Sequence, residues 1–193
     1  GSSTAKNDVT LSALDDNNAT VVLGAADDKV TIGTAVTGTV SIDGGEGTDT
    51  LVLDTAKAIV DAKTTITNVE KIVAVDAVEF TEKQLSGTTY ELSSTGEDAN
   101  LIVNVANAAG ATAVTTDLSG LTFGSVVGAN FAFVEVNAAA DVVDTIKGTK
   151  LNDTITAGNK GDIIDISQGG SDTIVINNGD STYSSTVNNM DSI

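Results

Sequence analysis

The chain has no cysteine, histidine, proline, tryptophan or arginine, and only six aromatic residues among 193. Each absence removes a class of chemistry. Without cysteine there is no disulfide framework, so redox chemistry says nothing about the compartment. Without histidine, cysteine or arginine, most catalytic constellations lack their acid, base, nucleophile or charge-stabilising partner. Carboxylates, lysines, hydroxyls and the phenols of Tyr90 and Tyr183 remain. Paired carboxylates can cleave glycosides, but so few aromatics give no platform on which a sugar ring stacks, and no enzymatic activity is expected. No apolar run approaches the ~18 residues of a membrane span, and no charged-then-apolar leader opens the chain. No transmembrane segment is expected.

What is present is acid. Nine lysines stand against 27 acidic residues, a net charge of −18, and the acids divide into 20 Asp and 7 Glu. Nucleic acid is excluded as a partner, because neutralising phosphates takes clustered Lys and Arg. The Asp excess points to turns, where the short carboxylate caps backbone N–H groups or reaches a hard cation. An apolar content of 40%, rich in Val, Ile and Leu, is enough to bury a core.

Short β-branched segments recur between Gly, Asp, Asn and Thr, the pattern of strands and turns. Val21-Val22-Leu23, Val30-Thr31-Ile32, Val40-Ser41-Ile42 and Leu51-Val52-Leu53 start 9, 10 and 11 residues apart, and Ile146, Ile155, Ile164 and Ile174 step by 9, 9 and 10. A period near nine holds one strand and one tight turn, which predicts a solenoid whose neighbouring coils bury one another's apolar faces. The expected fold is all-β: parallel β-roll or β-helix-like coils, an irregular β-rich middle, and one or two short helices. Three segments follow, 1–54 with one glycine-rich nonapeptide, 55–145 irregular, and 146–193 as a further roll, all compatible with one continuous domain.

In the middle, Ile66 to Val75 predicts two strands, and Phe131 to Val136 alternates as a strand does. Thr81 followed by Gln84 and Leu85 predicts a capping box opening one helical turn. Asp54 to Lys63 predicts a second short helix with Ala58, Ile59 and Ala62 on one face. Asn104 to Thr116 is ambiguous, since its alanines favour helix while its Val, Thr and Gly favour strands and turns.

The residues that carry chemistry are in the turns. Gly44-Gly45-Glu46-Gly47-Thr48-Asp49-Thr50-Leu51-Val52 fits G-G-x-G-x-D-x-U-x at every defined position. Glycines allow the unusual backbone angles of a six-residue turn, so carbonyls point inward and the Asp carboxylate joins them around calcium. Looser versions follow: Gly148 with Asp153, Gly158 and Gly161 with Asp162, and Gly169-Gly170 with Asp172. Two nonapeptides make one coil, so turns about 18 residues apart stack. Asp153 and Asp172, 19 apart, are expected to share one calcium ion, and Asp162 to pair with Asp144 or Asp180, each 18 away. Asp27 and Asp28 precede Asp49 by about one coil and are expected to stack on its turn. The competing reading is that each Asp caps its own turn without metal. The sequons Asn18-Ala19-Thr20 and Asn152-Asp153-Thr154 are short enough to arise by chance.

The nonapeptide resembles that of RTX (repeats-in-toxin) proteins and covers about a quarter of the chain with its looser copies. The interrupted β pattern between, with segments such as Asn68-Val69-Glu70-Lys71-Ile72 and Asp117 to Phe123, is similar to bacterial S-layer proteins exported by type I secretion. That resemblance implies an extracellular, cell-surface location, calcium as cofactor, self-assembly with like subunits, and cell-surface polysaccharide as a further partner. It implies folding outside the cell, through sites with dissociation constants of about 10⁻⁴ to 10⁻³ M. An adhesin or carbohydrate-binding module of a larger secreted protein is the alternative. The long tandem arrays of RTX toxins are missing, and the chain is expected to be a fragment, with Gly1 and Ser2 read as a cloning remnant and the C-terminal export signal cut away.

Overall fold

The computed structural model describes residues 4–12, 18–33, 38–54, 59–60, 63–75, 77–95, 101–105, 113–124, 134–139, 142–176, 182–183 and 188–189. They form twenty strands and one helical turn. The first ten strands are β1 (Asp8–Leu11), β2 (Ala19–Val22), β3 (Lys29–Ile32), β4 (Val40–Asp43), β5 (Thr50–Leu53), β6 (Ile59–Val60), β7 (Thr64–Thr67), β8 (Lys71–Ala74), β9 (Val78–Thr81) and β10 (Glu91–Ser94), with α1 (Glu82–Leu85) between the last two. Then come β11 (Leu101–Asn104), β12 (Ala113–Asp117), β13 (Thr122–Phe123), β14 (Val134–Asn137), β15 (Val143–Lys147), β16 (Asp153–Thr156), β17 (Ile163–Asp165), β18 (Thr173–Val175), β19 (Thr182–Tyr183) and β20 (Asn188–Asn189). Apart from the antiparallel pair β19–β20, every described pairing is parallel. The expected all-β solenoid is what the chain forms.

Two compact units result, one of residues 1–79, 89–100 and 122–131, the other of 80–88, 101–121 and 132–193. In the first, β1, β3, β5, β8, β10 and β13 lie side by side in one sheet while β2, β4 and β7 form another. From β1 to β5 successive strands alternate between the two sheets, so each of these coils spends two strands and two corners; β6 and β9, further on, belong to neither sheet. Val9, Val30, Leu51, Ile72 and Leu92 stack in register, as do Leu11, Ile32, Leu53, Ala74 and Ser94. These rows, with Val40 and Ile42 facing them, are the core. Each buried Val, Leu or Ile contributes about 1.5–3 kcal/mol. The middle of the chain therefore continues the coil through β7, β8 and β10.

From β1 to β8 the sheet register is 21 residues per coil, followed by steps of 20 to β10 and 31 to β13, and the corners are not constant either. From β3 the next two strands start after 11 and 10 residues; from β5 the next two in the coil, β7 and β8, start after 14 and 7. Both coils total 21. The shortened second corner is the tight turn Asn68-Val69-Glu70, and Asn68 takes a φ of 50° to make it. Asn tolerates the left-handed region better than other side-chain-bearing residues.

In the second unit β11, β14, β16 and β18 run side by side, and β12, β15 and β17 form the facing sheet. Val103, Val136, Ile155 and Ile174 stack in one row, and Thr116, Ile146 and Ile164 in another. The capping box holds: the amide and hydroxyl of Thr81 both donate to Gln84 Oε1, each at 2.9 Å. The turn after α1 then covers the outer edge of β12, with Gly87 N–H donating to Asp117 O at 2.8 Å and Asp117 N–H to Ser86 Oγ at 2.9 Å.

The helix expected over Asp54 to Lys63 is not formed, because Ile59–Val60 is strand. Two adjacent β-branched side chains favour extended backbone, and this outweighs the alanine spacing. Ala58 and Ala62 lie outside the described residues. The ambiguous stretch ends one strand at Asn104 and starts another at Ala113, and Ile66 to Val75 gives the two strands expected.

Candidate functional site: stacked turn carboxylates

At the corner between β4 and β5 the glycines do what the spacing requires. Gly45 and Gly47 have φ of 97° and 130°. A Cβ on Gly45 would stand 2.0 Å from the carbonyl oxygen of Gly24, in the coil before. The turns stack that closely because they bond directly: Glu46 N–H donates to Gly24 O at 2.9 Å. Asp28 N–H donates to Asp49 Oδ1 at 2.7 Å, and Thr48 N–H to Asp27 Oδ1 at 3.0 Å.

These contacts belong to a ladder with a 21-residue step. Asn7 N–H donates to Asp28 Oδ1 at 2.6 Å, Asp28 N–H to Asp49 Oδ1, and Asp49 N–H to Glu70 Oε2 at 2.7 Å. Every carboxylate thus receives the amide of the equivalent residue one coil earlier. Asp28 also receives Gly24 N–H, four residues upstream in its own turn, on Oδ2 at 3.2 Å.

Asp49 differs at that second oxygen. Its upstream amide, Gly45 N–H, is drawn instead to Asp43 Oδ1 at 3.2 Å, which also receives Asn68 Nδ2–H at 2.7 Å. Asp49 Oδ2 is left buried with no hydrogen-bond partner among the described residues. It lies beside Gly44, where a Cβ would come within 2.6 Å of it and within 1.9 Å of the Asn68 carbonyl oxygen. A buried carboxylate oxygen without a donor is costly, and a second oxygen nearby makes the place one for a cation or a proton.

The second unit repeats the ladder with other closures. Asp144 N–H donates to Asp162 Oδ1 at 2.8 Å, 18 residues on, and Gly158 N–H to Asp162 Oδ2 at 3.0 Å. Asp144 Oδ2 receives Ala139 N–H at 2.7 Å while its Oδ1 is buried without a partner among the described residues. Asp153 N–H donates to Asp172 Oδ1 at 2.9 Å, and Ser171 N–H to Asn152 Oδ1 at 2.8 Å, the same reciprocal pair as in the first unit. Asp153 itself is closed by one residue: Thr149 N–H donates to Oδ2 and Thr149 Oγ1–H to Oδ1, both at 2.8 Å.

The electrostatics follow this accounting of donors. The Asn7 amide holds the Asp28 carboxyl below its ordinary value. Burial pushes Asp49 up, and the charges of Glu70, Asp28 and Asp27 add to it against the Asp28 amide. Burial pushes Asp144 up to about 6, with Asp162 and Glu82 adding. Asp153 is raised by burial although both Thr149 donors oppose it.

The stacking expected from spacing is therefore what the coils do: Asp28 on Asp49, Asp153 on Asp172, and Asp162 with Asp144. Asp180 lies outside the described residues. Gly148 is buried where a Cβ would stand 2.4 Å from Asp153 Oδ2, and Gly169 and Gly170 take φ of 123° and 98°. Gly161 immediately precedes buried Asp162. Sequence reading missed Asn7, Glu70, Asp43, Asn68, Asn152 and Thr149. Asn7, Asp28, Asp49 and Glu70 are spaced by 21, a signal hidden by the change of residue type along it.

Among the described residues no three carboxylates come together as a metal cluster, so the fit of a cation is decided turn by turn. Fold and site define a parallel β-solenoid with carboxylate-stapled corners. No protein-family model, curated protein or solved structure matches the chain.

Proposed function

We propose that the chain is a non-enzymatic, calcium-dependent structural module of an exported bacterial surface protein, which assembles with like copies into a surface layer. The observation that carries the calcium reading is the unpartnered Asp49 Oδ2, buried in the one turn that has the full nonapeptide pattern. Asp49 Oδ2, the Asn68 carbonyl and carbonyls of the Gly44–Gly47 turn would hold the ion. Bound calcium supplies positive charge among Asp27, Asp28, Asp49 and Glu70, whose repulsion otherwise opposes the fold. With calcium scarce in the cytosol, the first unit is least stable before export and gains stability outside.

Among the described residues no helix is long and apolar enough to cross a membrane. The test is calorimetry and thermal melting during calcium titration of chelator-treated protein, with magnesium as control. Wild type is expected to bind calcium and melt higher, and Asp49→Asn to lose both effects. No heat at several millimolar calcium would refute the calcium reading. Electron microscopy after calcium addition then tests assembly, with an ordered lattice expected.

A second reading as an adhesin has one observation in its favour. Thr20, Ser41 and Thr65 lie in register across β2, β4 and β7 with their side chains outward, a row of hydroxyls suited to a glycan. Saturable glycan binding without a lattice would favour it.

A further inference from the structure

The turns Gly44–Asp49 and Gly148–Asp153 occupy equivalent corners, so they can be compared residue by residue. Gly44 corresponds to Gly148, Gly45 to Thr149, Gly47 to Leu151, and Asp49 to Asp153. In the first turn the position equivalent to Thr149 is glycine, and Asp49 Oδ2 stays open beside Gly44 and the Asn68 carbonyl oxygen. In the second, Thr149 closes the carboxylate. The Thr149 residue is 1% exposed, and its hydroxyl accepts Leu151 N–H at 3.0 Å while donating to Asp153 Oδ1. Its amide takes the other carboxylate oxygen.

The neighbouring coil is bonded just as directly. Asp153 N–H to Asp172 Oδ1 and Ser171 N–H to Asn152 Oδ1 join the two turns from both sides. At Gly170 the approach is so close that a Cβ would meet the Leu151 carbonyl oxygen at 2.1 Å and Asp172 Oδ1 at 2.9 Å. Leu151 O, which would have to turn toward a shared ion, packs against Gly170 instead.

We infer that the junction between Asp153 and Asp172 closes without a metal: the Thr149 amide takes the carboxylate oxygen whose counterpart in Asp49 stays open, and the Thr149 hydroxyl takes the other. The two units are then stabilised differently: the Asp49 turn responds to calcium, and the Asp153 turn is a permanent hydrogen-bonded staple. The contrast with Asp49 rests on the calcium reading proposed above, while the staple itself does not.

Two substitutions test it in the full chain. Asp153→Asn sets an amide N–H₂ against a donor, and Thr149→Val removes the hydroxyl with little change of shape. In chelator each is expected to melt below wild type, by about 5 °C for a buried hydrogen bond to a charged group. Millimolar calcium is expected to leave that deficit in place, and both variants to show the wild-type calcium isotherm. A deficit in Thr149→Val erased by calcium, or one equivalent of calcium lost in Asp153→Asn, would overturn the inference, as would melting unchanged in chelator. If wild type takes up no calcium, the Asp49 reading fails alone, because the melts in chelator still decide the staple.

Discussion

Asp28 gives its amide hydrogen to the carboxylate of Asp49 across 2.7 Å, one full coil away in sequence. Side-chain acceptors of this kind hold the corners together where the sheet ladder ends. The same bond recurs between Asp144 and Asp162 and between Asp153 and Asp172. It makes the carboxylate a part of the backbone bonding, independent of anything it binds.

Opposite outcomes are expected for two substitutions at Asp49. Asp49→Ala leaves the buried Asp28 amide without an acceptor, a loss of about 1.5–3 kcal/mol and about 5 °C in melting temperature. Asp49→Asn keeps Oδ1 and replaces the unpartnered oxygen by an N–H₂ facing the Asn68 carbonyl. In chelator at neutral pH it is expected to melt no lower than wild type. Thermal melts of the two variants side by side check this, and an Asn variant less stable than the Ala variant would contradict the assignment.

Stability in chelator is expected to fall as pH rises toward neutrality. Asp144, raised to about 6, is protonated in the fold where an unfolded Asp is already ionised. A raised acid contributes stability that is full below its ordinary value near 4 and lost as pH climbs through about 6. Asp49, also raised, acts in the same direction. Asp117 and Asp165, held down by their bonds from Ser119 and Ser167, act oppositely and lose their contribution below the ordinary carboxylate value. Melting temperature against pH should therefore peak near about 4 and decline between about 4 and 6. Asp144→Asn should flatten the upper slope; an unchanged slope would show that another group titrates there.

Glycine substitutions separate strain from contact. Gly170→Ala forces both a positive φ and a collision with the Leu151 carbonyl. Gly87→Ala has a φ of 72° but open space around its Cβ. A cost of about 1–2 kcal/mol is expected at Gly87 from backbone conformation alone, and a clearly larger one at Gly170. Denaturant midpoints give both values, and equal costs would mean that the stacked turns can separate to admit a methyl group.

Thr116→Val should stabilise the second unit. Its hydroxyl is buried without a partner among the described residues, in a row with Ile146 and Ile164. Removing an unsatisfied buried hydroxyl while keeping the shape is expected to gain about 1 kcal/mol, a rise of about 2–4 °C in melting. A lower melting temperature would reveal a donor or acceptor at that site.

The coil was legible in the sequence because its signal is repeated: an aliphatic residue every nine or ten positions survives substitutions among Val, Ile and Leu. The stacking of Asp153 on Asp172 followed from the same arithmetic. What each carboxylate does in its turn was not legible. That depends on which amide reaches it, and the difference between Gly45, drawn away by Asp43, and Thr149, turned inward, is set by contacts two and four residues long that the repeat period does not encode. The helix expected around Ile59 failed for a related reason, since periodicity in a short window carries less weight than the pairing available to a strand.

The corners on either side of β7 differ from their counterparts in the preceding coil by three residues in opposite directions, and the carboxylate ladder stays in step. A length change at one corner alone would put Glu70 out of phase with Asp49, whereas a matched pair would not. Natural drift in such a chain is therefore constrained by phase more than by identity. Along the ladder from Asn7 to Glu70, its descendants should vary in how each coil divides its residues while conserving the sum, and foreign peptides should be accommodated best there where a compensating deletion is made across the coil.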